Sequence, residues 1–127
     1  MNLDPARAKP LVCGGLSFDP QTNRAWGIKS SDLFVHFKRK AGDRAILNEL
    51  MTHQYQFFSY EDLLRLIGQS HRTGKTAPKY INDKIEALKK KLLKLKFSRE
   101  ELASMFVCDD GYMLVRPSIG KKHVSKA

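Results

Sequence analysis

Residues 72–96 read RTGKTAPKYINDKIEALKKKLLKLK and hold nine Lys or Arg against two acidic residues, a net +7 of the chain's formal +10. Within that stretch Ile81, Ile85, Leu88, Leu92 and Leu95 recur at spacings of four and three. This is the period of an α-helix with one apolar stripe that must pack on a core while its other faces stay in water. Pro78 is expected to open the helix, where its missing N–H costs nothing. Such a helix suits a polyanion, and nucleic acid is the commonest one. Lysine is also a good helix former that remains solvated, so a lysine-rich helix alone decides little. The distribution of charge decides more. Residues 116–127 add +4, whereas residues 1–71 sum to +2 and residues 97–115 to −3.

At 127 residues and 42% hydrophobic content, the chain has room for one domain with a single modest core. No apolar run approaches the roughly 18 residues of a membrane span, and the first residues lack the layout of a signal peptide. A cytoplasmic protein without membrane contact is expected, either whole or cut from something longer. Cys13 and Cys108 fall in predicted strands without the spacing of a zinc or redox motif, so free, partly buried thiols are expected.

On the N-terminal side of the basic helix, residues 1–11 read as a flexible arm. LVCGGLSF, RAWGI and LFVHF then read as short strands of a small antiparallel sheet, separated by the turn DPQTN and the break SSD. Asp43 is placed to cap a helix running to about His53, with Ile46, Leu47 and Leu50 inward. Ser59 and Asp62 form a capping box for a second helix, which Gly68 stops. After the basic helix, Ser98 and Glu101 cap a short helix, and MFVCDDGYMLV reads as a hairpin with Asp110 and Gly111 at its turn. The fold class is therefore α+β: sheet, three main helices, hairpin. That order is the layout of a winged helix over residues 12–115, followed by a basic flexible tail, 116–127.

The chain resembles the winged-helix output domain of response regulators of the OmpR/PhoB class. The likeness runs through GLSFDPQTNRAW, AILNEL, FFSYEDLLRLIG, INDKIEALKKKL and DGYMLV. It implies that Ile81 to Leu92 enter the major groove and that the hairpin wing meets the neighbouring minor groove. It implies groove-facing positions for Asn82, Asp83, Glu86, Ala87 and Lys90, and backbone-contacting positions for Lys84 and Lys89. The loop 69–77 is implied as a contact for RNA polymerase, and a head-to-tail dimer on DNA is implied as well. Glu86 and Ala87 stand where the family commonly has arginines, and Asp109 and Asp110 where its wing usually offers one; KAGDR at the first helix departs from the pattern too. No receiver domain with a phosphoacceptor aspartate can be read in these residues.

From residue chemistry, Arg72, Lys75, Thr76, Lys79, Lys84 and Lys89 are expected to meet phosphates, and Asn82 and Lys90 are candidate readers of adenine and guanine. Arg116 is long enough to stand in for the missing wing arginine. GQSHRTGKT ends like a P-loop, but five residues separate its glycines instead of four and it follows a helix, so no nucleotide cofactor is expected. His36, His53, His71 and His123 are scattered, so no metal is expected, and no catalytic constellation is legible. Trp26, Phe34, Phe37, Phe57, Phe58 and Tyr112 read as core residues before they read as stacking platforms. The expected function is a bacterial, cytoplasmic transcriptional regulator that binds duplex DNA and is not an enzyme. Two alternatives stand beside it: a protein-interaction module on the same fold, and an RNA-binding or ribosome-associated basic protein.

Overall fold

The structure is a computed structural model that describes residues 9–28 and 30–117. Most of the expected arm and of the basic tail lies outside the described residues. Strands β1 (Leu11–Cys13), β2 (Leu16–Asp19), β3 (Arg24–Gly27) and β4 (Ser30–His36) form an antiparallel sheet in chain order. Alternation decides which side is core: Leu16, Phe18, Ala25 and Val35 are buried, and Val12, Trp26 and Phe34 lie on the opposite face, in register across Ser17.

Two strand boundaries differ from the sequence reading. LVCGGLSF is two strands, because Gly14 takes a left-handed φ of +59° and turns the chain between them. The Ser30–Asp32 segment, expected as a break, belongs to β4. Phe37 and Tyr112 are core as expected, but Phe34 and Phe57 stand about half exposed.

The helical layer comprises α1 (Gly42–Thr52), α2 (Tyr60–Leu66), α3 (Thr76–Leu93) and α4 (Arg99–Met105). Both capping boxes form: Ser59 accepts from the Asp62 N–H and Ser98 from the Glu101 N–H, and each acidic side chain accepts from its cap's N–H in return. The Ser59 N–H donates to the Asp62 carboxylate and holds its pKa below the usual value. Asp43 does not cap α1. Ala41 occupies that position with no side-chain bond, while Asp43 sits inside the first turn, buried, with its carboxylate 2.9 Å from the Lys91 ammonium. Pro78 is likewise not the first residue of α3, which starts at Thr76; the proline occupies its third position, still among the donors with no partner in the helix.

The stripe expected from the sequence is the core. Ile81, Ile85, Leu88, Leu92 and Leu95 are all buried, in one core cluster with Leu47 and Leu50 of α1, Leu63 and Leu64 of α2 and Phe37 just after β4.

A second sheet closes the domain, in the order β5 (Phe58–Ser59), β7 (Gly111–Leu114), β6 (Phe106–Cys108). The β6–β7 hairpin is the expected wing. The two-residue strand β5 has no signal in the sequence, being too short for alternation to register. At the hairpin turn Asp110 has φ +62° and Gly111 φ +148°. A Cβ on Gly111 would overlap the Phe58 carbonyl oxygen, which lies on the adjacent strand. Sheet, helices and wing together make a winged helix.

Two outcomes follow from this packing. Gly111→Ala is expected to lower stability by more than the roughly 1–3 kcal/mol of backbone strain, because β5 must also move off β7, as measured by urea unfolding. Cys13 is buried with its thiol pushed up to about 11 by desolvation, while Cys108 is exposed. A thiol-specific reagent at neutral pH should therefore label one cysteine of the folded protein, and Cys108→Ser should abolish that labelling.

Candidate nucleic-acid interface

Helix α3 is held along its length while one side is left to solvent. Near its C-terminus Lys91 joins it to α1 through Asp43 and lies over the Phe37 ring at 4.6 Å. Near its N-terminus the Arg72 guanidinium stacks on Tyr80 at 4.0 Å and its Nε donates to Gln69 Oε1 at 2.9 Å. Lys75, Thr76, Lys79, Asp83, Glu86, Ala87 and Lys90 are exposed, and Lys84 and Lys89 partly so. Most of the residues expected on the interface thus share one helix and its leading loop. The Thr76 hydroxyl is already used, donating to the Thr73 carbonyl at 2.8 Å.

The side that meets the wing is built around one amide. Asn82 Oδ1 accepts from the Tyr112 hydroxyl at 2.6 Å and from the Tyr60 hydroxyl at 3.2 Å. The two rings meet edge to face with centroids 6.2 Å apart, and Cys108 Sγ lies 3.5 Å from Tyr60 Oη. Asn82 of α3 therefore ties the first residue of α2 to β7 of the wing, and Tyr60 extends the contact to β6. Desolvation is the largest cause raising both phenol pKa values, with Cys108 next. The hydroxyls stay protonated and can donate. Reading adenine needs the Asn oxygen as an acceptor as well as its N–H₂ as a donor. That oxygen is twice occupied, so Asn82 has a structural commitment that the sequence did not disclose.

Charge is distributed unequally around the helix. Both acidic residues of α3 are matched within it: Lys79 Nζ lies 3.2 Å from Asp83, and Lys89 Nζ lies 3.5 Å from Glu86. Such exposed pairs contribute a few tenths of a kcal/mol and are easily exchanged for another partner. Lys75, Lys84 and Lys90 have no ion pair among the described residues. The wing flank is acidic: Asp109 and Asp110 stand exposed at the turn, and the charges of Glu86 and Asp110 help raise the two phenols.

Arg116 lies beyond the far end of β7 from the turn, with its N–H on the Tyr55 hydroxyl at 3.3 Å and its charge felt by Cys13. It belongs to the foot of the wing, next to β1, and is not grouped with the α3 lysines. Among the described residues no cluster of His, Cys, Asp and Glu could hold a metal ion, and no helix is long and apolar enough to cross a membrane.

The architecture has solved counterparts. The crystal structure of the response regulator AdeR DNA binding domain in complex with an intercistronic region superposes with a TM-score of 0.60, covering 84% of this chain and 99% of that one at 13% identity. The two chains share the winged-helix fold. No protein-family model and no curated protein matches the sequence.

Asn82→Ala would leave the buried Tyr112 hydroxyl and the part-buried Tyr60 hydroxyl without their shared acceptor. A loss of about 1–3 kcal/mol is expected in urea unfolding, and a double-mutant cycle with Tyr112→Phe should show clear coupling between the two positions.

Proposed function

We propose that this chain is a DNA-binding transcriptional regulator whose α3 lies in the major groove of duplex DNA. The observation that carries the reading is the lysine-rich side of α3, turned to solvent beside a wing on a fold shared with a DNA-binding domain. Lys75, Lys79, Lys84 and Lys89 neutralise phosphates, with Arg72 at the leading end of the helix, where backbone N–H groups also favour an anion. Lys79 and Lys89 exchange their carboxylate partners for phosphate on binding. Lys90 is the candidate reader of guanine, whereas Asn82 holds the wing on the helix. Asp83 and Glu86, freed of their lysines, are matched to cytosine amino groups and bias the helix toward sites that present them.

On this reading the protein acts in the bacterial cytoplasm as an output module of response-regulator type and has no catalytic role. The loop 69–77 is the surface offered to RNA polymerase, and pairs form head to tail on repeated sites. The acidic wing turn supports a second reading in which that flank docks a basic protein while α3 remains on DNA. Asp109 and Asp110 are poor partners for phosphate but good ones for lysine.

The test is fluorescence anisotropy with random duplex DNA over a range of salt. The five phosphate contacts of Arg72, Lys75, Lys79, Lys84 and Lys89 account for a slope of log K against log salt of roughly −4 to −5, and any further contact steepens it. Lys84→Ala/Lys89→Ala should make it shallower by nearly 2. Absence of binding at low salt sinks the proposal, and stronger binding to RNA than to duplex DNA redirects it to RNA.

A further inference from the structure

Away from the wing, α3 borders a groove of about 480 Å³ between the β4–α1 turn, the end of α2 and the first turns of α3. Arg39 and Lys40 come from the turn and are exposed, and Lys84 comes from α3. Tyr80 lines the groove and carries two cations against its ring: Arg72 at 4.0 Å and Lys84 at 5.3 Å. The Lys84 stem packs over Gly42, where a Cβ would lie 3.4 Å from it. Its ammonium is thereby held at the opening turn of α1, which has no side-chain cap.

This convergence is electrostatically unfavourable as it stands. Three cations from the turn and α3 line the groove beside the positive end of an eleven-residue helix, Arg72 adds a fourth over the Tyr80 ring, and no carboxylate lines the groove. Asp43, in the first turn of α1, is spent on Lys91. An aromatic ring beneath the cations spreads some of the charge but adds no counter-ion. A groove of this kind is completed by an anion. Because it runs along the flank of the helix placed in the major groove, the anion in reach is the sugar–phosphate strand that walls that groove.

We infer that Arg39 and Lys40, together with Lys84 and Arg72, form a phosphate clamp that takes one backbone strand of duplex DNA on the side of α3 opposite the wing. This rests on the DNA-binding reading above and adds to it the β4–α1 turn as a contact element. The clamp supplies on this flank the anchorage that the acidic wing withholds on the other.

The experiment is the salt dependence of binding to a labelled random duplex for the wild type, for Arg39→Ala/Lys40→Ala, and for Arg24→Ala. Arg24 is an exposed cation on the outer side of the N-terminal sheet, over Phe34. The turn variant should lose about 2 from the magnitude of the slope, one phosphate for each cation, with an unchanged circular dichroism spectrum, whereas Arg24→Ala should leave the slope alone. Wild-type binding with an unaltered slope in the turn variant overturns the clamp and leaves the DNA reading standing. An equal loss per charge from Arg24→Ala also overturns it, since net charge alone would then account for the effect. Failure of the wild type to bind at all overturns both.

Discussion

The burial of one stripe of α3 is the constraint on which the rest of the molecule depends. Ile81, Ile85, Leu88 and Leu92 are fully enclosed, and a helix carrying so many lysines would not hold still in water on its own propensity. Once that stripe is seated on α1, α2 and the sheet, the azimuth of every other residue of α3 is set. Lys79, Asp83, Glu86 and Lys90 must face outward, Lys84 must lie toward α1, and Asn82 must lie toward the wing. The layout of this outer surface follows from the apolar face buried beneath it.

Two polar contacts refine that placement without supplying much of its energy. Lys91 with the buried Asp43 fixes the rotation of α3 against α1, and Asn82 with its two tyrosines fixes the wing against α3. Both spend residues that a sequence reading assigns elsewhere. A lysine in a basic helix looks like one more solvated charge, and an asparagine on a recognition helix looks like a base reader. Each is recruited because a partner from a distant part of the chain arrives beside it.

This explains how far the sequence could be read. Helix caps and the hairpin turn are local chemistry: Ser59 with Asp62, Ser98 with Glu101, and Asp110 with Gly111 all stand as expected. Periodicity found the core stripe and the main helices. What escaped was decided by contacts between segments far apart. Strand β5 exists only because β7 passes beside Phe58 and Ser59. Asp43 reads as a cap until Lys91, 48 positions later, is brought to it. Arg39 and Lys40 look like ordinary turn residues, and only the fold sets them opposite Lys84 across a groove. The signal was present as a cluster of like charges in KRKAGDR, but its meaning lay in what faces it.

If α3 binds DNA as proposed, the uneven charge on its two flanks also bears on how an encounter begins. The cations of the groove on one side of α3 and the carboxylates of the wing turn on the other tilt the domain's field across that helix, and a polyanion exerts a torque on so uneven a charge distribution before any surfaces meet. Approaches with the wing leading are turned away, and approaches with the basic flank leading are drawn in. On the proposed DNA-binding reading, the molecule reaches a duplex already rolled toward one orientation about the axis of α3, so that charge placement selects productive collisions and the directional fit of the helix has only to complete them.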